Sequence, residues 1–302
     1  MPNNIKLTNS CFKFSKIVII ESLKNEIKTG TELAGYIKGL DLKSGPEIQI
    51  IRISSGNNLI SNLLNLEREA RDGAIPLIHF EMHGTSDGSG LVTENLDVVS
   101  WFDISDILLR INLATKFNLI IFVAACNGGY FLEEMKIIAP TPCYALVAPT
   151  DEVDPSEIMR ATRDFYRILL TTANATKAAS IIVSQSIQQG RWFAQWAESW
   201  YRMVAIKYIK LYCTPAALKE SALKINKKAC AQGKLSAMGK TKKQLKNSIR
   251  MDLTGKYFDR FFCMDAIPEN ARRFEYLRKI LSSEIDEFLS NPQASIKLYD
   301  EP

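Results

Sequence analysis

Five short apolar runs rich in β-branched residues punctuate the first half of the chain, at 16–21, 47–54, 76–83, 118–126 and 143–149. The first three are bounded by Gly, Ser or Pro, and amphipathic stretches fill most of the gaps. That alternation announces βαβ units and predicts a mainly parallel sheet covered by helices. The fourth run, Asn118-Leu-Ile-Ile-Phe-Val-Ala-Ala-Cys126, is the most apolar. A strand buried on both faces reads this way, so it is placed at the centre of the sheet.

The helical segments follow from 3.6-residue spacing. Residues 58–70 put Leu59, Leu63, Leu66 and Ala70 on one stripe, and 103–113 open on Asp103, read as an N-cap, ahead of Ile104, Ile107, Leu108 and Ile111. The polar, glycine-bearing segment 88–101 is expected as a loop or small hairpin beside the carboxyl edge of the sheet. Pro155 opens a helix over 155–171. From about Gln185 the strand signal disappears, and Trp192, Phe193, Trp196, Trp200 and Tyr201 recur at helical spacing, which favours core packing or self-association over base stacking. A low-hydrophobicity linker is expected over 233–243 and a terminal helix over 271–289. The expected organisation is an α/β domain over 1–184 and a basic α-helical subdomain over 185–302.

A chain of 302 residues that is 46% hydrophobic can bury a core without disulfide staples. No run reaches the ~18–20 apolar residues that a bilayer demands, so no membrane association is expected. The start, Met1-Pro2-Asn3-Asn4, lacks a secretory signal, which points to a cytoplasmic protein with reduced thiols. Six cysteines without a C-x-x-C pair, and two histidines, do not read as zinc ligands or a disulfide framework. No metal or organic cofactor is expected. Charge is uneven, with thirteen Lys and Arg against two acidic residues between Lys207 and Lys256. Such a region is either a solvated helix face or a footprint for nucleic acid or an acidic regulatory protein.

In an open parallel sheet, ligands collect at the carboxyl ends of the strands. The third run ends in His83-Gly84 and the fourth in Cys126-Asn127-Gly128-Gly129. On neighbouring strands these would set an imidazole beside a thiol, a pair sufficient for nucleophilic catalysis. The backbone N–H groups of Gly84 and Cys126 are the candidate oxyanion donors, and the two glycines would open a helix and let a substrate carbonyl approach. The competing account makes Cys126 a small buried hydrophobe. His79 is expected to be a packed or hydrogen-bonded strand residue. Glu81 either orients His83 or faces solvent, the latter being favoured. The segment 233–241 has five residues between its glycines and no preceding strand, so it is not a phosphate loop.

Ile78-His-Phe-Glu-Met-His83-Gly84 followed by Ile121-Phe-Val-Ala-Ala-Cys126-Asn127-Gly128-Gly129 resembles the caspase-like cysteine peptidases, closest to the CHAT group, over roughly residues 16–180. The resemblance implies a caspase-like three-layer sandwich and a catalytic dyad at the matching positions, His83 and Cys126. It also implies a protein substrate, and bacterial members suggest a role in antiviral defence or cell death, such as activation of a pore-forming effector. Ala124 and Ala125 depart from relatives selective for basic residues, which carry an aspartate before the cysteine. Asp151, Glu152 and Asp154 fall where related peptidases line the pocket for the residue before the cut bond, so Asp151 and Asp154 are substrate-binding candidates. The rival class is a non-catalytic caspase-like scaffold whose basic helical half binds nucleic acid or a regulatory protein.

Overall fold

β1 (Lys16–Ser22) is buried along its whole length, and each of its neighbours lies parallel to it. β2 (Glu47–Arg52) pairs on one side, with Lys16 opposite Glu47, and β3 (Pro76–Gly84) on the other, with Lys16 opposite Pro76. β3 continues the parallel ladder to β6 (Ile120–Ala124), which pairs with β7 (Ala145–Pro149). The apolar fourth run is therefore an interior strand, as its composition requires. A computed structural model supplies this architecture, describing residues 12–42, 45–185, 191–232 and 238–290.

The segment after β3 forms a hairpin, β4 (Gly90–Val92) and β5 (Val98–Ser100), whose first strand runs antiparallel to the end of β3. An eighth strand, β8 (Trp192–Trp196), closes the sheet antiparallel to β7, giving the order β2-β1-β3-β6-β7-β8. The class is α/β with a mixed, mostly parallel sheet. The sequence reading placed residues 192–196 in a helix. Trp192, Trp196 and Trp200 do keep helical spacing, but pairing with β7 outweighs it, as tertiary context does for aromatic segments that suit either state. The Trp192 indole is fully buried and donates to Glu157 Oε1 at 3.1 Å.

Helices connect the strands: α1 (Thr29–Lys38), α2 (Gly56–Arg71), α3 (Trp101–Ala114), α4 (Pro155–Thr172) and α5 (Ala175–Gln185). From β1 the chain moves outward to β2, then returns past β1 to β3 and proceeds to β6 and β7. Right-handed crossovers put α1 on one face and α2 with α3 on the other when the direction reverses like this. The contacts agree, since α1 packs on α4 and α4 on α5, whereas α2 packs on α3. The cap of α3 is Ser100, whose hydroxyl accepts from the Asp103 amide at 3.2 Å while the Asp103 carboxylate accepts from the Ser100 amide. Asp103 is thus the third residue of a capping box rather than the N-cap itself.

Internal contacts divide the chain into two compact units, and the sheet unit runs past residue 184 to Trp196. The second unit takes residues 136–140 together with the chain from Ala197, and its described secondary-structure elements are helices. It comprises α6 (Ala197–Tyr212), α7 (Pro215–Ala231), α8 (Met238–Met251), α9 (Tyr257–Phe261), α10 (Glu269–Arg273) and α11 (Glu275–Ser290). Its core is aromatic: Tyr201 lies within 5.5 Å, ring to ring, of Phe258, Phe261 and Phe262. Of the linker expected over 233–243, residues 233–237 lie outside the described residues, whereas 238–243 are not linker but the first turns of α8. In the basic region Lys207, Lys219, Lys227 and Lys228 are exposed, Lys224 pairs with Glu220, and Arg250 pairs with Asp286. Among the described residues no helix is long and apolar enough to cross a membrane.

Candidate active site

The direction of travel reverses between β1 and β3, so the crevice beyond their carboxyl ends is the switch point of this sheet. A cavity of about 670 Å³ opens there, lined from four chain segments. The loop after β1 and the start of α1 supply Leu23, Asn25, Glu26, Ile27 and Thr29, β3 supplies Glu81 to His83, the end of β6 and the turn after it supply Ala124 to Cys126, and the segment after β7 supplies Val153, Pro155 and Ile158.

Register explains why His83 and Cys126 share it. The β3–β6 ladder pairs His79 with Phe122 and Glu81 with Ala124. Two residues beyond the last ladder pair come His83, still within β3, and Cys126, in the turn that follows β6, and both line the pocket. The face that holds His79 carries α4, because the His79 ring stacks on Phe122 at 4.7 Å and lies 5.6 Å from Tyr166. His83 is 53% exposed and Cys126 half-buried, so neither is sealed from solvent.

His83 Nε2 lies 2.9 Å from Glu26 Oε1. A carboxylate only accepts, so Nε2 carries the proton and the ring's lone pair is at Nδ1 when the imidazole is neutral. Glu26 sits in the loop after β1, and nothing local in the sequence marks it. The Cys126 thiol donates to Val153 O at 3.7 Å. Asn127, in the left-handed region at φ 57°, turns the chain immediately after the cysteine. Its side-chain amide donates to Thr85 O at 3.2 Å, tying the cysteine turn to the segment after His83-Gly84. The backbone amides of Asn127 and Gly128 donate to Asp151 O and Ala125 O, so neither is an oxyanion donor.

Gly84 has a specific steric role. A Cβ built there would lie 1.8 Å from the carbonyl oxygen of Cys126, a separation no side chain tolerates. Gly128 and Gly129 are also packing glycines, whose added Cβ atoms would meet Val123 and Phe193 at 2.5 Å each. The helix expected after them is a short 3-10 helix, Gly128–Glu134. The turn following Gly84 is pinned by Asp87, whose carboxyl is pulled down to about 2 by the Ser89 amide and by the Thr85 and Ser89 hydroxyls.

Below the pocket lies a buried polar relay. His79 is completely buried, with Nδ1 2.9 Å from the Tyr166 hydroxyl and Nε2 2.5 Å from Glu81 Oε2. The Thr29 hydroxyl donates to Glu81 Oε1 at 2.5 Å. Burial, and then the Glu81 charge, push the Tyr166 phenol well above its ordinary range, so it stays protonated. His79 is hydrogen-bonded as the strand pattern suggested. Glu81 neither faces solvent nor bonds His83: it is 2% exposed and held by His79 and Thr29.

Asp154 is the N-cap of α4. Hydrogen bonds from the Ser156 hydroxyl at 2.5 Å and the Glu157 amide at 2.9 Å hold its carboxyl below the usual range. Asp151 is exposed and its carboxylate accepts from the Glu152 amide at 2.8 Å. The residues that line the pocket from this segment are their neighbours Val153 and Pro155. Cys143, Cys213 and Cys263 are buried, Cys230 is exposed, and Cys11 lies outside the described residues. Among the described residues no group of His, Cys, Asp and Glu is arranged to hold a metal.

No protein-family model matches this chain, and no curated protein matches it in sequence.

Proposed function

We propose that the chain is a cysteine endopeptidase with a caspase-like, CHAT-type three-layer architecture, in which Cys126 and His83 form the catalytic dyad. The observation that carries this reading is that both residues line the pocket at the switch point, each two residues beyond the last pair of the β3–β6 ladder. Cys126 gives its thiol proton to His83 Nδ1 and its sulfur attacks the scissile carbonyl carbon. The backbone N–H groups of Gly84 and Cys126 receive the oxyanion. As the tetrahedral intermediate collapses, the C–N bond breaks, and His83 returns the proton to the leaving amine. A water molecule, deprotonated by His83, then hydrolyses the thioester and frees the sulfur. Glu26 keeps the imidazole in the tautomer that exposes Nδ1.

The substrate is a partner protein, and the resemblance to CHAT peptidases supports a pore-forming or other cell-death effector in the cytoplasm of a bacterium. The test is incubation of the purified chain with a proteome-derived peptide library, with new N-termini quantified by mass spectrometry. The wild-type chain is expected to generate them, and Cys126→Ala and His83→Ala to generate none. Retained cleavage by either variant, or none by the wild type, overturns the dyad.

A further inference from the structure

We infer that the pocket beside Cys126 receives a lysine or arginine side chain, with Glu81 as its counter-charge, and that the enzyme cuts after such a residue. The second half of this statement rests on the peptidase reading, whereas the first concerns binding alone.

Leu23, Ile27, Ala124, Val153, Pro155 and Ile158 give the pocket apolar walls. Its ionisable lining is Glu26, Glu81, His83 and Cys126, with no Lys or Arg. Glu26 is engaged with His83 at the mouth. Glu81 is buried, and among the described residues no Lys or Arg lies within ion-pair distance of it; His79 is hydrogen-bonded to it and the buried Glu21 lies opposite it on β1. His79 Nδ1 faces the Tyr166 hydroxyl and Nε2 faces Glu81 Oε2, so the carboxylate meets no permanent cation. Each carboxylate oxygen uses one acceptor site for Thr29 or His79 and keeps another. A buried carboxylate that no Lys or Arg meets gains from a cation brought by a ligand.

The dimensions match. Glu81 precedes His83 by two strand residues, so it lies about 6.6 Å deeper at ~3.3 Å per residue. A long aliphatic stem covers that distance along the apolar walls and delivers its charged head to Glu81, the way Lys and Arg side chains divide between apolar and polar surroundings. Neither Asp151 nor Asp154 is needed, and the aspartate absent at Ala124 is replaced by a carboxylate from the adjacent strand, since Glu81 sits directly opposite Ala124.

The test uses the full chain carrying Cys126→Ala and two isosteric probes, n-butylguanidinium and the uncharged N-butylurea, titrated by calorimetry. The guanidinium is expected to bind about tenfold or more tighter than the urea, the advantage of a charge-assisted hydrogen bond over a neutral one. Glu81→Gln is expected to erase that preference. Should Glu81→Gln unfold, Ile27→Lys serves instead: Ile27 is 61% exposed, and a lysine at the rim repels the probe without disturbing the core. Equal binding of the two probes, or a preference unchanged in the variants, overturns the inference. In parallel, the wild-type chain receives peptides with arginine or citrulline at the cut position. Equal cleavage of both overturns the specificity while sparing the dyad. Cleavage of neither removes the peptidase reading, and the calorimetry then decides the cation site on its own.

Discussion

The carbonyl oxygen of Cys126 rests against the α-carbon of Gly84, so closely that a Cβ at residue 84 would sit 1.8 Å from it. This contact brings the end of the histidine strand against the turn that carries the sulfur. Gly84→Ala must push the two apart, and overpacking between rigid backbones costs about 1–3 kcal/mol. We expect a lower urea midpoint and loss of Cys126-dependent cleavage.

Exposure divides the thiols. Burial pushes Cys143 far above the ordinary thiol range and raises Cys213 to about 11, so both stay protonated and shielded. Iodoacetamide on the folded protein is expected to label Cys126 and the exposed Cys230 and to spare Cys143 and Cys213. Peptide mapping by mass spectrometry reads the result, and His83→Ala is expected to slow labelling at Cys126 several-fold while leaving Cys230 unchanged.

Removing Glu26 tests the orienting pair. Both partners are about half exposed, so the contact is worth little to stability and is screened by salt. Glu26→Ala is therefore expected to leave the unfolding midpoint within error and to lower kcat/KM by roughly tenfold or less. The deficit should narrow at high ionic strength, where the wild-type pair is itself weakened.

Glu67 on α2 receives hydrogen bonds from Arg71 at 2.6 Å and from Arg110 of α3 at 2.8 Å. Burial opposes its ionisation, but the hydrogen bonds from Arg110 and Arg71 outweigh it and hold the carboxyl below its ordinary value of 4.5. With the folded value below the unfolded one, this stabilisation is complete above the ordinary value and is lost as pH falls through the folded one. Glu67→Gln is expected to cost about 1–3 kcal/mol at neutral pH. Urea titrations at descending pH should show the gap to wild type closing.

Tyr166→Phe leaves His79 Nδ1 without its partner in a fully buried site. The expected loss is about 1–3 kcal/mol, read as a lower thermal midpoint.

Five strands were legible because β-branched runs such as Ile17-Val-Ile-Ile20 suit little else, and the hairpin after β3 was legible from its glycines. β8 was not, because Trp192 and Trp196 satisfy both a helical period and an aromatic strand, and only the bare edge of β7 selects between them. Alternation in β3 placed His79, Glu81 and His83 on one face but could not say that Tyr166 of α4 meets the first, Thr29 of α1 meets the second, and the third is left open. Glu26 and Asn127 were invisible for a simpler reason. Their roles depend on loops meeting in space, His83 with 26 and Thr85 with 127, across more than forty residues of chain.

The pocket draws its walls from four connections that end near Ile158, so no shorter stretch of polypeptide contains it. A nascent chain that has emerged only through α3 holds the imidazole but not the sulfur, and one that stops at β7 lacks Val153 and the helix beneath His79. Neither partial chain can build the cavity, so the pocket exists only once β7 and the start of α4 have joined the sheet.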